Sequence, residues 1–195
     1  MTSAFADIGR ALALGLALLA VAPDRARAQS ITISAAPSAP VGEFGERRSL
    51  GGQIAVALSP VHRWRGLSPR VEIAQSWFPT RSSRNRFLLL HDRRPEGTVS
   101  VTGAFAYLLY ADVPRRASLY GGLGIGGYIL QIEGDRDSYG LVPGIGFVGG
   151  LRFGEGRVRG MIELQPQVVV SDYGSSWMMP SAFIPVRFGV SVHLP

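Results

Sequence analysis

Six charged or titratable residues, Glu72, Arg152, Arg159, Glu163, Arg187 and His193, fall in segments of alternating hydropathy and share the parity of small or polar neighbours. Alternate side chains of an extended chain leave by the same face, so each of the six sits on the less apolar side of its segment. Arg159 and Glu163, four residues apart, lie on one such face. If those faces enclose a narrow space, unpaired charge there is costly, and the six are expected to form a ladder of ion pairs and hydrogen bonds that fills it. A gate, a selectivity filter or a catalytic group are the other uses open to the same side chains.

The remaining candidates carry weaker chemistry. Gly122-Leu123-Gly124-Ile125-Gly126-Gly127 matches the dinucleotide pattern G-x-G-x-x-G. That motif needs a helix directly behind it to aim amides at a pyrophosphate, whereas here the extended pattern continues through Tyr128-Ile129-Leu130, so no cofactor is expected. Glu133, Asp135 and Asp137 cluster without the spacing and glycine of a calcium loop, and no metal is expected. His91 beside Asp92, and His193 near Ser191, are the two places where a histidine has a partner for hydrolysis. A loop or interior histidine is the plainer reading of each, and no catalytic residue is assigned. Arg81, Arg84, Arg86, Arg93 and Arg94 crowd the stretch from Pro79 to Gly97. Guanidinium forks grip phosphate at two points, which makes this stretch the candidate contact for lipopolysaccharide or an external partner.

Eight alternating segments must position these residues: Ile31 to Ala35, Gln53 to Leu58, Val71 to Phe78, Val99 to Tyr110, Leu119 to Leu130, Leu141 to Phe153, Val158 to Val170 and Ile184 to Leu194. The last two are the sharpest, with Ile162, Leu164, Val186, Phe188 and Val190 opposite Arg159, Glu163, Gln165, Arg187 and Ser191. In the fourth, Val99, Val101, Phe105, Tyr107 and Leu109 read as the apolar, outward face, against Ser100, Thr102, Ala104 and Ala106. In the fifth and sixth, Gly122, Gly124, Gly126, Gly144, Gly146 and Gly150 fall on the inner parity, where small residues relieve crowding. Pro166 stands inside the seventh segment, where a bulge is expected.

Residues 1–28 have secretory form: Arg10 ends a polar stretch, Ala11 to Ala22 are apolar, and Ala26-Arg27-Ala28 offers a small-x-small cleavage site. A signal peptide cleaved after Ala28 is expected, leaving 29–195 as one domain. Cysteine is absent, so packing and hydrogen bonds alone must hold an exported chain of this size. The formal charge is +6, every basic residue is arginine, and the leader accounts for one unit of that excess. The arginines fall mostly between segments, and nucleic-acid binders usually gather their charge on one face or tail, so no nucleic-acid partner is expected.

Connectors Pro60 to Pro69, Ala111 to Arg116 and Gly154-Glu155-Gly156 alternate with Pro40 to Arg48, Pro79 to Gly97, Gln131 to Gly140 and Ser171 to Ser181. Apart from the first of the former set, the latter are longer. Short turns at one end and long loops at the other, with one face apolar, describe an all-β, eight-stranded antiparallel up-and-down transmembrane β-barrel of the outer membrane. Trp77 and Phe153, at opposite ends of outward faces, fit its two aromatic girdles; Trp64 and Trp177 fall in connectors. A soluble exported sandwich or lipocalin-like barrel around an apolar ligand shows the same alternation, which cannot by itself separate the two.

Through Leu119-Tyr120-Gly121-Gly122-Leu123-Gly124-Ile125-Gly126-Gly127, Arg157 to Gln165 and Ile184 to Leu194, the chain resembles the small outer-membrane β-barrel domain family, whose members are eight-stranded, transmembrane-protein-A-like or X-like. The resemblance implies the outer membrane as location, lipid, lipopolysaccharide and the barrel-assembly machinery as partners, and a structural or surface-interaction role. Family members typically end on an aromatic residue, where this chain ends Leu194-Pro195. Some small barrels modify lipid A; neither His91 nor His193 matches the H-x-S pattern of the deacylase barrels.

Overall fold

The computed structural model describes residues 29–60, 66–80, 98–111, 116–132, 138–169 and 182–194. The leader, the arginine-rich stretch with His91 and Asp92, the acidic trio Glu133, Asp135 and Asp137, and Trp64 and Trp177 lie outside those residues.

The strands are β1 (Gln29–Val41), β2 (Gly51–Pro60), β3 (Leu67–Phe78), β4 (Val99–Ala111), β5 (Ala117–Ile132), β6 (Ser138–Phe153), β7 (Val158–Leu164), β8 (Gln167–Val169) and β9 (Ala182–His193), with one short helix, α1 (Glu43–Arg47). β1 to β6 pair antiparallel in sequence order, β7 and β8 each lie antiparallel between β6 and β9, and β1 pairs with β9, for example Thr32 with Ser191, so the sheet closes on itself. Closure leaves no sheet edge, the condition for strands to stand in hydrocarbon.

β7 and β8 are two lengths of one stave, so the ring has eight. Against β6 the pairs Gly149 with Leu164 and Gly146 with Gln167 keep one register, as do Leu164 with Val186 and Gln167 with Phe183 against β9. The bulge expected at Pro166 is therefore absent. The Pro166 carbonyl still accepts the Phe147 amide at 2.9 Å, and the Gln165 amide reaches the Pro185 carbonyl at 3.1 Å, so the proline costs the ladder only the donor it lacks. Among the described pairings the register shifts instead in β5 against β6, between Tyr128 and Leu130.

Inward and outward faces follow the expected parity in every stave except the fourth. Val99, Val101, Phe105, Tyr107 and Leu109 point inward and are buried, while Ala104, Ala106, Leu108 and Tyr110 face out. Pairing decides this. Glu72 is cross-strand partner to Phe105, partners share a face, and the β3 face carrying Glu72 is the inner one. Volume gives the reason: Gly124, Gly126, Gly144 and Gly146 hollow out the inner wall of β5 and β6, and the large β4 side chains fill the space. A Cβ on Gly124 or Gly146 would run into Tyr107, and one on Gly126 first into the Ala104 carbonyl and then into Phe105.

The interior is layered. Towards the end that carries α1, Phe44, Phe78, Phe183, Tyr128 and Phe105 form an aromatic chain with ring centroids 4.9–5.8 Å apart. Below it lies a polar and ionic layer. Outside, Ile33, Leu119, Leu123, Ile125, Phe147, Ile162, Leu164, Phe188 and Val190 are all exposed. Among the described residues no helix is long and apolar enough to cross a membrane.

Candidate functional site

Arg70 is the hub of the ionic layer. It stands on the inner face of β3, two residues before Glu72, and is almost wholly buried. Its Nη2 donates to Glu72 Oε2 at 2.6 Å and to Glu163 Oε2 at 3.1 Å, and its Nη1 meets Glu163 Oε1. β3 and the β7/β8 stave are four places apart in the ring of eight, so this ion pair crosses the lumen. Gln165, on the same far stave as Glu163, donates through Nε2 to Glu72 Oε1 at 3.0 Å and to the Tyr107 hydroxyl oxygen at 2.5 Å. The Tyr120 hydroxyl donates to Glu163.

Arg187 completes the set. Its Nε donates to Gln53 Oε1 at 2.7 Å, while its Nη1 lies 2.6 Å from Glu72 Oε1. That second approach is ionic and off the hydrogen-bonding direction, for neither Nη1 nor Nη2 finds an acceptor. Two guanidiniums thus share two carboxylates, with two tyrosines and two glutamines taking up part of the remaining donors and acceptors, while Arg70 Nε, Gln165 Oε1 and both terminal nitrogens of Arg187 have no hydrogen-bond partner. Buried charge is tolerated on those terms.

Of the six residues expected from sequence, the structure brings Glu72, Glu163 and Arg187 together. Arg152 and Arg159 face inward but share in none of the carboxylate ion pairs: Arg152 lies over the ring of Tyr120, itself bonded to Glu163, at 4.6 Å, and the Nε of each arginine has no hydrogen-bond partner. His193 is half-buried at the end of β9, its amide bonded to the Arg157 carbonyl at 2.8 Å. Sequence reading missed Arg70, Tyr107, Tyr120, Gln53 and Gln165 as network members. Arg70 had a usable signal, the parity of Glu72, Ala74 and Ser76, but Pro69 beside it looked like a strand boundary.

No family model and no curated protein matches the chain. Solved structures do. It is similar to Neisserial surface protein A (NspA), with a TM-score of 0.61 and 13% identity over 85% of this chain and 97% of that one. A major outer membrane protein from Thermus thermophilus follows with 0.53 and 11% identity over 86% and 100%. The outer membrane enzyme PagL gives 0.50 and 10% identity over 84% and 98%. The chain has the fold of the small eight-stranded outer-membrane β-barrels.

In an outer-membrane barrel the outward aromatic residues have a place. Trp77 stands at the α1 end of the wall, and Tyr110 and Phe153 at the end carrying both chain termini. Tyr110 was hidden from sequence reading by the inverted parity of β4. Ser191 and His193 both take inward positions in this barrel, so neither lies on the lipid-facing wall.

Proposed function

We propose that this chain is an integral protein of the outer membrane, exported by its leader, with a structural or surface-interaction role and a filled lumen. The observation that carries the reading is the reversal of the usual inside and outside. Glu163 and Arg187 are fully buried, whereas Ile125 is 72% and Leu119 70% exposed. Water would not leave so much hydrocarbon uncovered, and a lipid bilayer requires it. A lipocalin-like barrel would need Ile162, Leu164 and Val190 to point inward, and they point outward.

The filled lumen rests on the cross-barrel ion pairs and on the aromatic layer capped by Phe44 of α1. Planar-bilayer recording tests it: no stable conductance is expected, and large, long-lived single-channel steps would refute it. Arg81, Arg84, Arg86, Arg93 and Arg94 are proposed to engage lipopolysaccharide phosphate at the long-loop end. Weaker lipopolysaccharide binding on changing Arg81, Arg84 and Arg86 to Ala supports this, and unchanged affinity rejects it. For the location itself the test is fractionation with cold electrophoresis. A heat-modifiable band in the outer membrane is expected, and a soluble periplasmic pool would sink the reading.

A further inference from the structure

The ionic layer is balanced without Arg152 and Arg159. Arg70 and Arg187 are matched by Glu72 and Glu163, the only carboxylates on inward strand faces among the described residues. Two arginines are left over, and they are neighbours. Arg152 of β6 pairs with Met161, two residues along β7 from Arg159, so the two backbones stand one diagonal step apart, about 7–8 Å. Both lie near the mouth that carries the chain termini, half-buried yet with Nε atoms screened from solvent and lacking acceptors. Ser191 adds an independent sign. It is the cross-strand partner of Arg159, fully buried, and its Oγ has no hydrogen-bond partner.

We propose that Arg152, Arg159 and Ser191 form an oxyanion site just inside this mouth, built for a phosphate group. Two half-buried guanidiniums lose hydration, and no inward-facing carboxylate among the described residues is left to pair with them. A phosphate between them supplies the missing negative charge and acceptors for both forks, and the serine hydroxyl donates a further bond. Tyr120 beneath Arg152 holds that side chain by cation–π contact, so part of the ordering cost is met before the anion arrives. The phosphate is either a free or phosphorylated solute or the headgroup of a lipid lapping over the rim. The site stands on the lumen geometry and is independent of the outer-loop reading.

The test uses the full chain in a non-ionic maltoside detergent, free of other oxyanions, titrated calorimetrically with inorganic phosphate. One saturable site is expected, weakened at least tenfold by Arg152→Gln or Arg159→Gln and several-fold by Ser191→Ala. Arg116→Gln, at the same mouth but in an exposed pair with Glu155, should leave it unchanged. A second arm adds phosphatidylglycerol to the micelles and follows retained lipid by native mass spectrometry. Retention by the unaltered chain and loss in Arg159→Gln, without binding of free phosphate, assigns the headgroup as source. Failure of the unaltered chain to bind in either arm overturns the proposal, as does binding undiminished in the Arg152→Gln/Arg159→Gln chain. Heat-shift electrophoresis identifies closed variants; if the arginine variants do not close, the unaltered chain and Ser191→Ala decide.

Discussion

Replacing Glu163 by Gln tests the ionic layer most directly, because the change keeps the side chain's shape and removes one charge from a closed set. In the unaltered barrel Glu72 and Glu163 serve Arg70 and Arg187, and Glu163 also accepts from Tyr120. After the change one carboxylate must serve two buried guanidiniums. An amide group also faces the Arg70 fork, donor against donor. Removing one partner from a buried pair costs about 3–5 kcal/mol. The amide oxygen still accepts one hydrogen bond, which returns about 1 kcal/mol. The expected loss is about 2–4 kcal/mol, roughly a 30- to 1,000-fold fall in the folding equilibrium constant. Urea unfolding in phospholipid vesicles, followed by tryptophan fluorescence and by the heat-shifted band, measures it. Adding Arg70→Gln leaves Glu72 facing Arg187, one charge of each sign, so the double variant should recover about 1–3 kcal/mol relative to the sum of the singles. A single-variant loss under about 1 kcal/mol, or strict additivity, refutes the account of shared carboxylates.

Two further predictions separate the inner wall from the outer one. Gly144→Ala places a methyl against the Tyr128 ring, which Phe105 at 4.9 Å and Phe183 at 5.8 Å hold in place, and should cost about 1–3 kcal/mol in the same urea assay. Gly149→Ala meets nothing within 4 Å and should stay within about 0.5 kcal/mol; equal losses at the two sites would contradict the described packing. Ile125→Arg, on the outward face midway along β5, should cost about 2–4 kcal/mol in vesicles if hydrocarbon surrounds it. A neutral or stabilising result there would argue that the wall is not in lipid.

Seven of the eight staves were legible in sequence because their hydropathy contrast matches their burial. Ile162 and Leu164 against Glu163 and Gln165 leave no ambiguity. β4 was misread for a physical reason: its large apolar residues face the lumen, where a lipid-facing wall would also want them, and only the glycines on β5 and β6 say which side has room. β1 runs to Val41, beyond the expected Ala35, because Ala, Ser and Pro give little contrast while pairs such as Ser38 with Gly51 continue the ladder. The ionic layer was half visible. Parity finds which charges face in, but it cannot say that Arg70 reaches across to Glu163 or that Arg152 and Arg159 are surplus, since both depend on how the ring closes.

The Arg70 and Glu163 side chains are 93 residues apart in sequence and belong to opposite staves. No hairpin or partial sheet brings them together, so their attraction is unavailable until insertion is nearly complete. Contacts that form after the rate-limiting step slow opening more than they hasten assembly. The lumen charges therefore set how long an assembled protein persists in the bilayer, while the glycines and the lipid-facing wall govern whether it gets there.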